Sequence, residues 1–117
     1  MESYRDLIAW QKAKSLALDI YRYTRDFPKA ETYGLTSQIR RAAISVPSNI
    51  AEGKGRYSQR EFVQFLYHAR GSLLEIKTQF EIAHDLGYVD SISFRRIEAK
   101  TDELGRILNG LINRFAA

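Results

Sequence analysis

SQIRRAAISVPSNIAEG, residues 37–53, keeps a helical apolar period while carrying a proline and a run of polar residues that a simple surface helix would not need. Leu35, Ile39, Ala42, Val46 and Ile50 fall on one helical stripe, and Gln38, Arg41, Ser45, Asn49 and Glu52 form a second stripe directly beside it. Pro47 sits in the middle. An interior proline removes one backbone hydrogen bond and costs roughly 3 kcal/mol, so a helix through it is either held by tertiary packing or broken there. The stretch therefore predicts a second helix in a helical bundle, packed on more than one side.

Outward from this segment the same period recurs. Toward the N-terminus, Leu7, Trp10, Ala13, Ala17, Ile20 and Thr24 predict a helix from about Asp6 to Thr24, with Leu16 and Tyr21 widening its face. Asp26, Phe27, Pro28 and Lys29 end it, because a proline disfavours helical geometry in the residue before it. Residues Lys29 to Gly34 are a connection, and the second helix runs from about Gly34 to Glu52 or Lys54, with Gly53 and Gly55 marking its end. Ser58 and Glu61 then make an S-x-x-E capping box that starts a third helix. In it Phe62, Leu66, Ala69, Leu73, Ile76, Phe80 and Ala83 alternate spacings of four and three, a heptad seam flanked by Val63, Phe65, Leu74 and Ile82. Gly87 reads as its left-handed C-cap. A fourth helix from about Ser91 to Phe115 carries Ile97, Thr101, Leu104, Leu108, Leu111 and Phe115, broadened by Ile107 and Ile112.

Four amphipathic helices with short connections predict an all-α, antiparallel up-down-up-down four-helix bundle, a single domain over residues 1–117. A chain of 117 residues can bury around two-thirds of its unfolded surface and so hold a real core. The absence of cysteine excludes a disulfide framework and thiolate metal sites and suits a reducing compartment. No apolar run approaches the roughly 18 residues of a bilayer span, and the N-terminus MESYRDLIAWQKAK lacks a signal-peptide core. The chain is expected to be cytoplasmic, without membrane association.

The chemistry-bearing residues exclude more than they assign. Paired-metal bundles place an E-x-x-H motif on each of two helices; Glu81 and His84 supply one, while His68 has Phe65 where the second glutamate would stand. The arginine-then-histidine spacing of some helical RNases is missing, as are a nucleophile elbow, a P-loop and a dinucleotide fingerprint. No enzyme activity, cofactor, metal or small-molecule substrate is expected.

Two sets of residues invite a role. On helix three His68, Ser72, Glu75 and Gln79 form a polar line beside the heptad seam, facing the Gln38, Arg41, Ser45, Asn49 and Glu52 stripe of helix two. With the turn centred near Arg56, Arg41 lies level with Gly71 and within a turn of Glu75, while Glu52 lies level with Arg60. An Arg41 to Glu75 contact and a Glu52 pairing with Arg56 or Arg60 are expected. These stripes fit a solvated face, a buried polar network that fixes register, or a subunit interface; the small Ala69, Gly71 and Ser72 and the shortness of the polar residues favour the latter two. The second set is basic. The net charge of +4 is a modest excess of 18 Lys and Arg over 14 Asp and Glu, such as a solvated bundle surface also carries, but symmetric copies would multiply a weak patch. Lys54, Arg56 and Arg60, with Tyr57 among them, surround the second turn together with Arg5 and Arg114; Arg22, Arg25, Lys29, Arg95 and Arg96 lie at the opposite end. Such residues can neutralise phosphates, and an interleaved tyrosine can stack on a base.

LIAWQKA in helix one, FPKAETYGLTSQIRRAAISVPSNIAEG, and EFVQFLYHARGSLLEIKTQFEIAHDLGY in helix three together resemble the bacterial four-helix bundle proteins historically labelled S23 ribosomal proteins. Genes of that family were noticed inside intervening sequences of the 23S ribosomal RNA gene, and a similar bundle is the accessory subunit of diversity-generating retroelements. The resemblance implies a homo-oligomeric ring, usually a pentamer, without known catalytic activity. It also implies association with RNA or a ribonucleoprotein, for which Lys54, Arg56 and Arg60 are the candidate phosphate contacts. The rival expectation is a protein-interaction scaffold ring without direct nucleic-acid contact. Gln38, Arg41, Asn49, Glu52, Ser72 and Glu75 are then read as architecture, in a polar network or interface.

Overall fold

A computed structural model describes residues 3–116, which form four helices: α1 (Ile8–Thr24), α2 (Leu35–Lys54), α3 (Gln59–Asp85) and α4 (Ser91–Ala116). Among the described residues there is no strand. Consecutive helices pack on one another and α4 closes on α1, while the diagonal pairs do not touch. Cross-helix bonds give the directions. On α2 and α3, Gln38 meets Gln79 and Ser45 meets Ser72; on α3 and α4, Arg70 meets Asn109 and Lys77 meets Asp102. On α1 and α4, Lys12 meets Glu103 and Asp19 meets Lys100. Every neighbouring pair thus runs antiparallel.

The core is a column of side chains from all four helices, including Leu16, Ile20, Ile39, Val46, Leu66, Ile76, Phe80, Ile97, Leu104 and Leu108. On α2 and α3 the buried line is the expected one. On α1 it is turned: Ala9, Ala13, Leu16, Ile20 and Thr24 are buried, while Leu7, Trp10 and Ala17 are only half-buried. Leu16 outcompetes Ala17 for the centre because it fills the space between four helices, which a methyl group does not. At the end of α4 the same turn puts Ile112 inside and leaves Leu111 and Phe115 at the edge.

Several ends differ from expectation in an instructive way. Asp6 belongs to a separate 3-10 turn, Tyr4–Asp6, capped reciprocally by Ser3 and Asp6, so α1 starts at Ile8. At α3 the Ser58 hydroxyl accepts from the Glu61 N–H at 3.1 Å, but the Glu61 carboxylate accepts from that hydroxyl at 3.3 Å instead of from the Ser58 backbone. Only half of the capping box forms. Gly87 has φ of 83°, and Gly87 N–H and Tyr88 N–H donate to His84 and Ala83 carbonyls at 2.9 Å each, the left-handed cap the sequence predicts. Gly55 caps α2 in right-handed geometry. Gly53 has another purpose: a Cβ there would come within 2.6 Å of Phe65 Cβ, so the missing side chain lets α2 close on α3.

α2 continues without interruption through Pro47. Pro47 is half-buried between α1 and α2, beside Ala17, Leu18, Tyr21 and Ile44. Packing against α1 holds the helix where its own hydrogen bonding is interrupted. Two connections also contribute to the core through Phe27 and Val89. Glu31 and Tyr88 lock these connections together: the Tyr88 hydroxyl donates to one Glu31 oxygen at 2.9 Å, while the other accepts from Leu35 N–H at 3.2 Å and so caps α2.

Candidate nucleic-acid interface and polar groove

The α2–α3 turn is set by the register of the two helices. The pairs Gln38/Gln79 and Ser45/Ser72 both centre between Ser58 and Gln59, not on Arg56, because the Ser58 cap starts α3 later than a turn centred on Arg56 requires. Glu52 is therefore level with Phe65 rather than Arg60. It pairs with Arg56 at 3.9 Å, one of the two expected partners. The expected Arg41 to Glu75 contact does not form: no ion pair joins them among the described residues, although both line one groove. Glutamines and serines fill the cross-helix line, and both charged residues stand exposed at its edge, where water solvates them.

Lys54, Arg56 and Arg60 sit within this turn. The Arg56 guanidinium lies 4.8 Å from the centre of the Phe65 ring and, with Glu52 beside it, is partly neutralised. Lys54 is half-buried and Arg60 exposed, and neither has a carboxylate partner among the described residues. Tyr57 is wholly exposed between them. Phe115 packs on Phe62 with ring centres 5.4 Å apart, which brings Arg114 to the same end, and the 3-10 turn carrying Arg5 packs on α2. Nearby carboxylates are engaged locally, Asp6 by Ser3 N–H at 3.1 Å and Glu61 by Ser58. What remains is a convex, cation-rich end with a tyrosine ring standing clear of it, a shape suited to phosphates and one stacked base. At the opposite end Arg22 is paired with Asp19 at 3.3 Å, while Arg25, Lys29, Arg95 and Arg96 are exposed.

Along the bundle, the polar stripes of α2 and α3 do meet. Ser72, itself buried, donates from its hydroxyl to Ser45 Oγ at 2.8 Å. Asn49 Nδ2 donates to the Ser45 carbonyl at 2.8 Å and to Ser45 Oγ at 2.9 Å. Gln79 reaches Gln38 at 3.5 Å, and the Gln79 Oε1 is buried without a partner. A shallow groove follows this line, floored by Ala42, Ser45 and Ser72 and edged by Arg41, His68 and Glu75. Gln38, Asn49 and Ser72 thus join one network; Arg41, Glu52 and Glu75 stand outside its hydrogen bonds. His84 stacks on Phe94 with centres 4.5 Å apart and shares a 3.1 Å contact with Ser91, and His68 lies edge-on to Phe65.

Two polar contacts escaped the sequence reading. Arg40, buried at its stem, donates to Thr24 Oγ1 at 2.7 Å and lies over the Tyr21 ring at 4.7 Å. Asp19 accepts from both Lys100 and Arg22. Both join helices distant in sequence, and no local motif marks them.

Fold and surface together define a small antiparallel helical bundle with a basic turn and a polar α2/α3 groove. The family model described as 23S rRNA-intervening sequence protein matches residues 5–110, and the chain belongs to that family. Among solved structures it is similar to a protein of unknown function from the S23 ribosomal protein family of Bacteroides thetaiotaomicron. That likeness has a TM-score of 0.81 at 20% identity and covers 90% of this chain and 98% of the other. At that identity it shows the fold alone. No curated protein matches the chain significantly.

Proposed function

We propose that this protein is a non-enzymatic, self-associating bundle that binds RNA or a ribonucleoprotein through its α2–α3 end. The observation that carries the reading is the cluster of Lys54 and Arg60, without carboxylate partners, around the fully exposed Tyr57. Arg56, shared with Glu52 and Phe65, adds partial charge, and Arg5 and Arg114 extend the surface. Repetition of this end around an oligomer, a pentamer by the family resemblance, would turn a net charge of +4 per chain into a field strong enough to hold a polyanion. Family membership supports the direction toward RNA.

Affinity for a structured RNA, followed by fluorescence anisotropy against salt, tests this. Each phosphate contact contributes a slope of about −0.9 in log K against log salt, so binding weakens steeply between low and moderate salt. Lys54→Ala with Arg60→Ala flattens the slope by about two phosphate contacts. A second reading, a protein-interaction scaffold, is favoured by the α2/α3 groove with its small floor and the unpartnered Gln79 Oε1. On that reading charge reversal at Lys54 and Arg60 leaves partner binding unchanged.

A further inference from the structure

Two apolar surfaces remain exposed after the bundle has closed, and they carry opposite charge. The first is a hollow between α1 and α2, lined by Ala17, Leu18, Tyr21, Ile44 and Pro47 with Lys14 at its edge. Leu18 and Ile44 are each 47% exposed. Lys14, Arg22, Arg40 and Arg41 lie around it, and within α1 and α2 the only carboxylate before Glu52 is Asp19, already engaged by Arg22 and Lys100. The second is a ridge at the end of α3, where Ile82 and Leu86, one helical turn apart, are 46% and 55% exposed. Glu81 and Asp85 flank it, and no Lys or Arg occurs from Thr78 to Leu86.

We infer that the hollow of one chain receives the α3 ridge of a second copy. The inference rests on the self-association proposed above and names the surfaces that make it. Three observations favour this occupant. The ridge offers branched apolar side chains at helical spacing, which is what an apolar hollow between two helices accepts. Its acidic flanks meet a basic rim, which aligns the partners and disfavours the reverse pairing of like charges. Hollow and ridge come from different helices, so each chain can give one surface and receive at the other. Such a contact is heterologous and propagates from chain to chain until it closes, as an isologous two-fold contact does not. Pro47 fits this account, since its ring supplies a flat, donor-free wall to the hollow.

Sedimentation velocity on two single variants and their mixture tests the contact, with far-UV circular dichroism confirming that each variant folds. Ile44→Glu places a negative charge in the hollow and Ile82→Lys a positive one on the ridge; both positions are half-exposed, so the bundle tolerates them. Each variant alone should associate about tenfold or more weakly than the wild type. Mixing the two restores association, because each chain keeps the surface the other lacks and the introduced charges attract. An associated wild type whose variants keep its mass, or whose variants stay dissociated when mixed, overturns the contact and leaves the self-association reading standing. A wild-type monomer at high micromolar concentration overturns both.

Discussion

At the scale of single residues, glycines divide sharply by what surrounds them. Gly53 has Phe65 Cβ 2.6 Å from where its own Cβ would stand, and that atom is fixed to the α3 backbone. Gly53→Ala should therefore push α2 and α3 apart and cost about 1–3 kcal/mol in urea unfolding. Gly71, also in a helix, has nothing within 4 Å of its would-be Cβ. Gly71→Ala should stabilise the isolated chain by about 0.5–1 kcal/mol through helix propensity and reduced unfolded-state freedom. Equal effects at the two positions would mean that α2 and α3 do not approach as described. The same scale shows why Gly53 reads from sequence as a terminator. Its role is set by Phe65, a residue twelve positions away that no local pattern connects to it.

At the scale of elements, caps and connections carry the pH response. The Tyr88 phenol is held above its ordinary value of 10.0, first by its hydrogen bond to Glu31, then by partial desolvation and the Glu31 charge. A raised value in the folded state contributes stability that is fully present below the unfolded value and lost as pH rises through the folded one. Thermal unfolding should thus show a loss of stability above about pH 10 that Tyr88→Phe removes, while lowering stability at neutral pH. Asp90 behaves oppositely. It accepts from the Ser93 N–H at 2.7 Å and the Ser93 hydroxyl at 3.1 Å, and these bonds, the backbone one foremost, hold its carboxyl below the usual value. Its contribution is present above the unfolded value of 3.8 and disappears as pH falls through the lower folded value, a slope that Asp90→Ala abolishes in an acid titration of Tm. An unchanged slope in either variant would place the titrating group elsewhere.

Helix number and class were legible because 3.6-residue periodicity, the Ser58 start and the Gly87 stop are local signals. Register was less so. Placing the α2–α3 turn from glycines alone put its centre at Arg56, and the displacement to Ser58 and Gln59 removed the Arg41 to Glu75 contact while keeping Glu52 beside Arg56. Of the polar stripe, Ser45, Asn49 and Ser72 could be foreseen as neighbours because they share faces; their bonds depend on the register. The Tyr88–Glu31 lock and the Arg40 bond to Thr24 were invisible, since each joins residues whose separation only the tertiary fold closes.

At the scale of the whole molecule, a bundle 43 Å long carries its features on separate surfaces: a basic end, a polar groove and two apolar surfaces. Among the described residues no helix is long and apolar enough to cross a membrane. Breaking the Ser45–Ser72 bond with Ser72→Ala leaves the Ser45 hydroxyl still accepting from Asn49, so destabilisation should stay near 1 kcal/mol in chemical unfolding. A loss of several kcal/mol would assign the groove network a larger part in the fold. The central claim concerns the basic end. Its most direct test is the salt dependence of structured-RNA binding by the wild type and by the Lys54→Ala, Arg60→Ala double variant. The account predicts wild-type affinity that falls steeply with salt, and a double variant with weaker binding and a shallower slope. Absence of binding at low salt, or binding indifferent to both salt and the substitutions, would contradict it.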